Sequence, residues 1–551
     1  MLRRNSVGCL QVVVPLALAS GMVAVRVSAA IPQYLTPNTG SGPTSTTLNG
    51  LTFVNKGLQG VGRIDASLRD QLGDTFGSVS SMQITNWAKT GSSYSGVFNT
   101  LPDRGRNDPA ANLFYDYAGR IQTVPFTFTP YTGTAALGGT TVAEKKAAQN
   151  QIVATYATST AFTYVDPLLG AAPRNTTGLN PANLSTTTLF GKPAPFVGVQ
   201  GGNSINKLAL DAEGLVLLPD GSGFVSDEYG AYAYRFNANK QIVNILDLPA
   251  AMLPKNNAGQ TNFNSTATGT NLTAGRRGNQ GLEGLAISPD GTRLFALLQS
   301  ATVQDTNGSA QQTRNNTRLL TYDLTGNIDA PALISEQVVQ LPTLDVDGAG
   351  GAADRTAAQS EIVALSNSQI LVLARDSAGY GGSLTTPSIV KSVFLYDTTS
   401  ATNVLGTASD AASGRVTVSS PSFGLNPSIM PATGSEVINM LNEAELSRFN
   451  FNLNNNNGLA FDELTFSEKW EGMGLVSAFD PENPNDYFLF IANDNDFATT
   501  NGFMKLPDGT FENYDAELNN DTIFLAYRVS IPEPGLLAVV PLFILGLRRR
   551  A

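Results

Sequence analysis

The sequence contains no histidine, one cysteine and two tryptophans in 551 residues. Without histidine there is no Ser-His-Asp triad, no Cys-His pair and no histidine-ligated zinc. Gly-x-Ser-x-Gly, the nucleophile elbow of α/β-hydrolases, is missing as well. The cysteine, Cys9, lies before an apolar run, so the processed chain has no disulfide, thiol nucleophile or iron–sulfur cluster. Charge is scarce too: Asp, Glu, Lys and Arg make up 14%, against about 25% in typical globular proteins. The net charge of −11 excludes nucleic acid as a partner, because binding it needs a basic surface to displace counterions.

In place of charge the chain has 53 Gly and 29 Pro and many Asn, Thr and Ser, a composition of short strands and frequent turns. Its two ends read as addresses. Residues 1–30 have the three parts of an export leader: Arg3 and Arg4, an apolar run from Leu10 to Val25, and Ser28-Ala29-Ala30 before Ile31. At the other end Pro532-Glu533-Pro534 precedes the apolar segment Gly535 to Leu547 and then Arg548-Arg549-Arg550. Thirteen apolar residues interrupted by Pro541 are too few to cross ~30 Å of hydrocarbon as a helix. This tail resembles the bacterial PEP-CTERM sorting signal. The resemblance implies an exported bacterial protein, extracellular or cell-surface associated, whose tail is handled by sorting machinery. The expected organisation is a leader at 1–30, a linker at 31–50, one domain at 51–530 and the tail at 531–551.

Within the domain a unit recurs: Glu, an apolar strand, a turn, a second apolar strand, then polar residues. Glu213-Gly214-Leu215 runs through Pro219-Asp220-Gly221 to Asp227-Glu228. Glu283-Gly284-Leu285 runs through Pro289-Asp290-Gly291 to Gln299. Glu361-Ile362-Val363 leads to Arg375-Asp376, and Glu471-Gly472-Met473 leads to Asp494 and Asp496. A weaker copy runs from Ser80 to Asp103-Arg104-Gly105. Copies spaced 70 to 110 residues apart, each followed by a third strand, predict an all-β propeller. About six blades are expected: five copies are visible, and a further one fits in the poorly patterned Gly119–Val199 or Ala401–Asn450. A β-sandwich array is the alternative fold.

Matched positions of successive blades face one axis. The repeat therefore gathers carboxylates, which repel and need a counter-charge. Hard oxygen donors without histidine point to Ca²⁺. The same side chains equally serve to cap strand ends and bond neighbouring blades.

The strings Asn206 to Leu215, Val225 to Gly230, Gly278 to Leu285, Trp470 to Met473 and Asn493 to Phe497 resemble the phytase-like family, "esterase-like activity of phytase", over Gly57 to Ser530. That resemblance implies a secreted, Ca²⁺-dependent phosphoric-ester hydrolase acting on a small phosphorylated substrate. On it, Glu213, Glu283, Glu361 and Glu471 are expected to be catalytic, and Asp227, Glu228, Asp376, Asp494 and Asp496 to hold metal. Arg104, Lys207, Arg277 and Arg375, with Arg276, are expected to clamp phosphate, since guanidinium meets it bidentately. The other reading is a non-catalytic extracellular propeller that binds a ligand or a matrix component.

Overall fold

The computed structural model describes residues 40–532 apart from 41, 109–110, 167, 171, 183, 185, 201, 266–271, 384, 421 and 454–460. The leader, with Cys9, and the tail beyond Pro532 lie outside the described residues. Five antiparallel sheets of four or five strands carry the fold. Their innermost strands are Ser81–Thr90, Ala212–Leu217, Leu282–Ile287, Ala358–Ala364 and Lys469–Ser477. Each touches the next, and the last touches the first. The result is a five-bladed β-propeller.

The ring is one blade smaller than the six or so expected from the sequence. Five innermost strands already close the circle, so the unpatterned stretches have other work. Gly119–Val199 supplies the outer strands Arg120–Phe128, Ile152–Ala154 and Thr158–Ala161 of blade one, then short hairpins. Ala401–Asn450 ends in the outer strand Thr433–Asn439 of blade four and the short helix Glu443–Arg448. Blade five joins both chain ends: Leu51–Ile64 inserts between Thr44–Leu48 and Thr522–Ser530, which continues to Asp486–Asp494 and Lys469–Ser477. Thr44–Leu48, in the stretch read as linker, is thus the outer edge of the ring.

The strand sequences are apolar on both faces because each blade is covered on both sides. Ile370 and Val372 pack toward blade three, while Leu371 and Leu373 pack toward blade five. Five apolar seams result, one between each pair of neighbours. The seam between blades five and one is aromatic, with Phe98 stacked on Phe126 at 3.6 Å and on Phe524 at 4.6 Å. The turns form as their residues dictate. In Pro219-Asp220-Gly221 the Asp220 carboxylate accepts from the Ser222 amide at 2.9 Å, and Gly221 adopts φ +82°.

Candidate metal and phosphate site

One irregularity, repeated around the axis, builds the site. In blade three Leu282 pairs with Leu298 and Gly284 with Leu297, so Glu283 between them is a bulge without a partner. Glu213 in blade two and Glu471 in blade five are bulged in the same way. A bulge re-aims its side chain, and all three carboxylates enter one axial pocket of about 340 Å³. Ser80 and Ser360 hold the same place in blades one and four, both buried, with hydroxyls that meet no partner among the described residues. At the end of each second strand a matching ring reads Asp103, Glu228, Gln299, Arg375 and Asp494.

The register corrects the sequence alignment at one blade. Glu361 pairs with Leu373 just as Gly284 pairs with Leu297, so its equivalents are Gly214, Gly284 and Gly472. Those glycines sit where innermost strands crowd the axis: a Cβ at Gly214 would lie 2.6 Å from the Glu283 carbonyl oxygen. Glu361 instead lies one layer deeper, outside this pocket and on the wall of a second, apolar cavity. It accepts from the Leu285 amide at 3.2 Å and the Ile362 amide at 2.8 Å, and it bonds the Ser81 hydroxyl. Burial raises its pKa well above the usual carboxylate range, against the pull of these hydrogen bonds. Glu361→Gln should cost about 1 kcal/mol or less and leave metal binding unchanged, as calorimetric titration and thermal melting would show. A loss of metal affinity there would restore Glu361 to the site.

The pocket contains eight carboxylates, Asp103, Glu213, Glu228, Glu283, Glu468, Glu471, Asp494 and Asp496, and three cations, Arg104, Arg375 and Lys469. Arg104 reaches Asp211 at 2.5 Å and Glu228 at 3.7 Å. Arg375 holds Glu471 at 2.6 Å. Lys469 lies 3.2 Å from Asp494 and pairs with Asp496. Burial would depress the Lys469 ammonium, but Asp494 and Asp496 outweigh it and raise its pKa. Among the described residues no cation pairs with Glu213 or Glu283. Burial, then the neighbouring Glu283, pushes Glu213 up; burial, then Glu228, pushes Glu283 up. Glu228 rises through burial and the adjacent Asp211, and one of its oxygens, Oε1, is buried with no hydrogen bond among the described residues. Asp494 is pushed up to about 7, chiefly by burial.

Eight carboxylates against three cations leave the pocket short of positive charge. Oxygens of Asp211, Glu213 and Glu228 lie within 4.8 Å of one another. Three buried carboxylates, one with an orphaned oxygen, fit a hard divalent cation that takes only oxygen donors.

Other residues singled out from the sequence lie elsewhere. Asp227 turns away from the axis and accepts from the amides of Asp211 at 2.9 Å and Gly230 at 2.6 Å. Asp376 accepts from the Val390 amide at 2.8 Å and binds Lys391 at 2.8 Å. Lys207 pairs with Asp116 at 2.7 Å, and Arg277 donates to the Thr306 hydroxyl at 2.9 Å. Neither of these two lines the pocket. Arg276 is buried on the carbonyls of Tyr229 and Phe263. Conversely, Asp103, Asp211, Glu468 and Lys469 are site residues that the sequence reading passed over. Asp103 stands beside Arg104, and Asp211 and Lys469 stand two residues before Glu213 and Glu471, so the repeat itself carried the signal.

The profile of the phytase-like family, esterase-like activity of phytase, matches residues 76–497. The chain belongs to this family. The matched span takes in all five innermost strands and both rings of the pocket. A relative from Arthroderma benhamiae, an uncharacterized secreted protein, is 30% identical over 482 residues, covering 82% of this chain and 88% of that one. Among solved structures, a luciferin-regenerating enzyme is 9% identical with a TM-score of 0.25, covering 87% of this chain and 96% of its own. Pseudomonas fluorescens PhoX in complex with vanadate, a transition state analogue, is 9% identical with a TM-score of 0.26, covering 91% and 97%. At such scores neither likeness bears on the chemistry of this phytase-like pocket.

Proposed function

We propose that this phytase-like protein is an exported, Ca²⁺-dependent phosphoric-ester hydrolase. The observation that carries the reading is the buried carboxylate group Asp211, Glu213 and Glu228, with Glu283 beside it and Arg104, Arg375 and Lys469 in the same pocket. Asp211, Glu213 and Glu228 would hold the ion. Ca²⁺ held there would polarise phosphoryl oxygens and lower the pKa of a water. Arg104, Arg375 and Lys469 would meet a phosphate monoester once a bound cation offsets the carboxylates that now hold them. A water oxygen would attack phosphorus, the ester P–O bond would break, and the proton shed by the water would end on the leaving alkoxide.

Phosphate release from p-nitrophenyl phosphate and from phytate, with and without Ca²⁺, tests the proposal. Turnover that survives complete chelation would reject it. One observation favours a second reading, a pocket that binds without turnover: each of the three cations is already engaged by a carboxylate. Stabilisation by Ca²⁺ with no turnover of either ester would select that reading.

Export rests on the leader at residues 1–30 and on the secreted relative. The tail is proposed to act as a PEP-CTERM-type sorting signal. Mass spectrometry of the mature protein should find neither Met1 to Ala30 nor Arg548 to Arg550, and an intact cytoplasmic chain would refute both assignments.

A further inference from the structure

A second chamber, of opposite character, is lined by all five innermost strands and by Glu361. It measures about 590 Å³ and is walled by Leu215, Leu285, Ile362, Met473 and Leu475. Its few polar groups are satisfied. Gln83 is bonded through its amide to the Leu217 backbone in both directions, and Glu361 is taken up by Ser81 and two amides. Nothing here calls for a charged or hydrogen-bonding ligand. Ile287, Val363, Leu365 and Leu475 remain half-buried around the mouth. Leaving that apolar surface in water costs about 25 cal/mol per Å².

The chain itself leads to this mouth. Ile531 and Pro532, the last described residues, form part of the chamber wall. The sequence continues Glu533-Pro534-Gly535 and then Leu536-Leu537-Ala538-Val539-Val540. Three residues span at most ~10 Å, so the first apolar residues of the tail cannot leave the vicinity of the mouth. A tether this short presents them at roughly millimolar effective concentration.

We propose that the apolar residues from Leu536 onward dock in this chamber of the same molecule. The chamber takes several aliphatic side chains but not the whole segment to Leu547, so Arg548 to Arg550 stay in water. Docking shields the sticky part of the tail until it is processed. It also makes the sorting signal available only when another apolar environment competes for it.

The test uses Nile red, an uncharged apolar dye, and the chain from Ile31. A form ending at Pro532 should bind the dye in the chamber, and Leu475→Glu in that form should abolish binding. The form running to Ala551 should bind the dye about tenfold more weakly, as expected for an intramolecular competitor at millimolar concentration whose own affinity is a tenth of that. In the full-length form, Leu536→Asp with Leu537→Asp should restore dye binding without touching the propeller. Equal dye binding by the long and short forms would overturn the proposal. So would failure of the double aspartate variant to restore it, or exclusion of the dye only at concentrations where light scattering reports a dimer, since the tail would then occupy a second copy.

Discussion

Chelation should lower the melting temperature and abolish phosphate release together. An ion that binds only the folded state stabilises it by RT ln(1 + [L]/Kd), about 2.7 kcal/mol at a hundredfold excess over Kd. In a domain this large that is a shift of about 3 °C. The rate effect is larger: a metal supplying ~4 kcal/mol of transition-state stabilisation is worth about 10³-fold. The pH dependence distinguishes this from an incidental surface ion. Glu213, Glu228 and Glu283 have folded pKa values raised above 4.5, and Asp494 is raised from 3.8 to about 7. Without metal the folded state therefore binds protons that the unfolded chain has already released. That contribution to stability is complete below about pH 4 and is lost as pH rises through about 7. The metal-free protein should melt at progressively lower temperature from pH 5 to pH 8. Calcium acts in the opposite sense, because it binds carboxylates that have lost their protons, so its stabilisation should be small at pH 5 and largest at pH 8. Glu228→Gln should flatten the metal-free slope and weaken Ca²⁺ binding at least tenfold. A Ca²⁺ shift independent of pH, or unaltered in Glu228→Gln, would remove this pocket as the metal site.

Arg375→Leu should be among the most damaging single substitutions in the pocket. Its guanidinium, 10% exposed, lies 2.6 Å from Glu471, 5% exposed. Burial opposes the charge on Arg375, but Glu471 and Glu468 outweigh it and raise the pKa. Removing the cation leaves Glu471 buried beside Glu283 without its ion-pair partner, within reach only of the Lys469 charge that Asp494 and Asp496 already hold. Breaking a buried pair in this way costs about 3–5 kcal/mol. Chemical denaturation of the metal-free protein would measure it. Arg375→Leu with Glu471→Leu should recover most of the loss, since two well-packed apolar residues replace the pair. A cost below ~1 kcal/mol for the single change would mean that water, not Arg375, neutralises Glu471. Saturating Ca²⁺ should also reduce the cost, because the ion replaces the missing positive charge.

The strands were legible because each blade is buried on both faces. Runs such as Ile370 to Ala374 and Phe488 to Ala492 need no alternation and stand out against the Gly- and Asn-rich turns. The carboxylates were legible because they recur at one place in the unit, so Glu213, Glu283 and Glu471 could be found by matching strings. Blade number could not be read this way. It depends on which innermost strands touch, and a five-membered ring left Gly119–Val199 and Ala401–Asn450 to serve as outer strands and loops.

Glu361 shows where string matching fails. Its glutamate stands before an apolar run like the others, but the bulge falls on Ser360, and one residue of register moves a side chain to another layer. Asp227 and Asp376 show a second limit. They sit beside true pocket residues, Glu228 and Arg375, yet adjacent residues in an extended chain point to opposite sides. The sequence by itself determined the repeat, the apolar strands, the absence of histidine chemistry and the supply of oxygen donors. Tertiary structure decided which of those donors meet. Five chains of hydrogen-bonded register converge on one axis, and only that convergence sets Asp211, Glu213 and Glu228 within 4.8 Å while sending Lys207, Arg277, Asp227 and Asp376 to other partners.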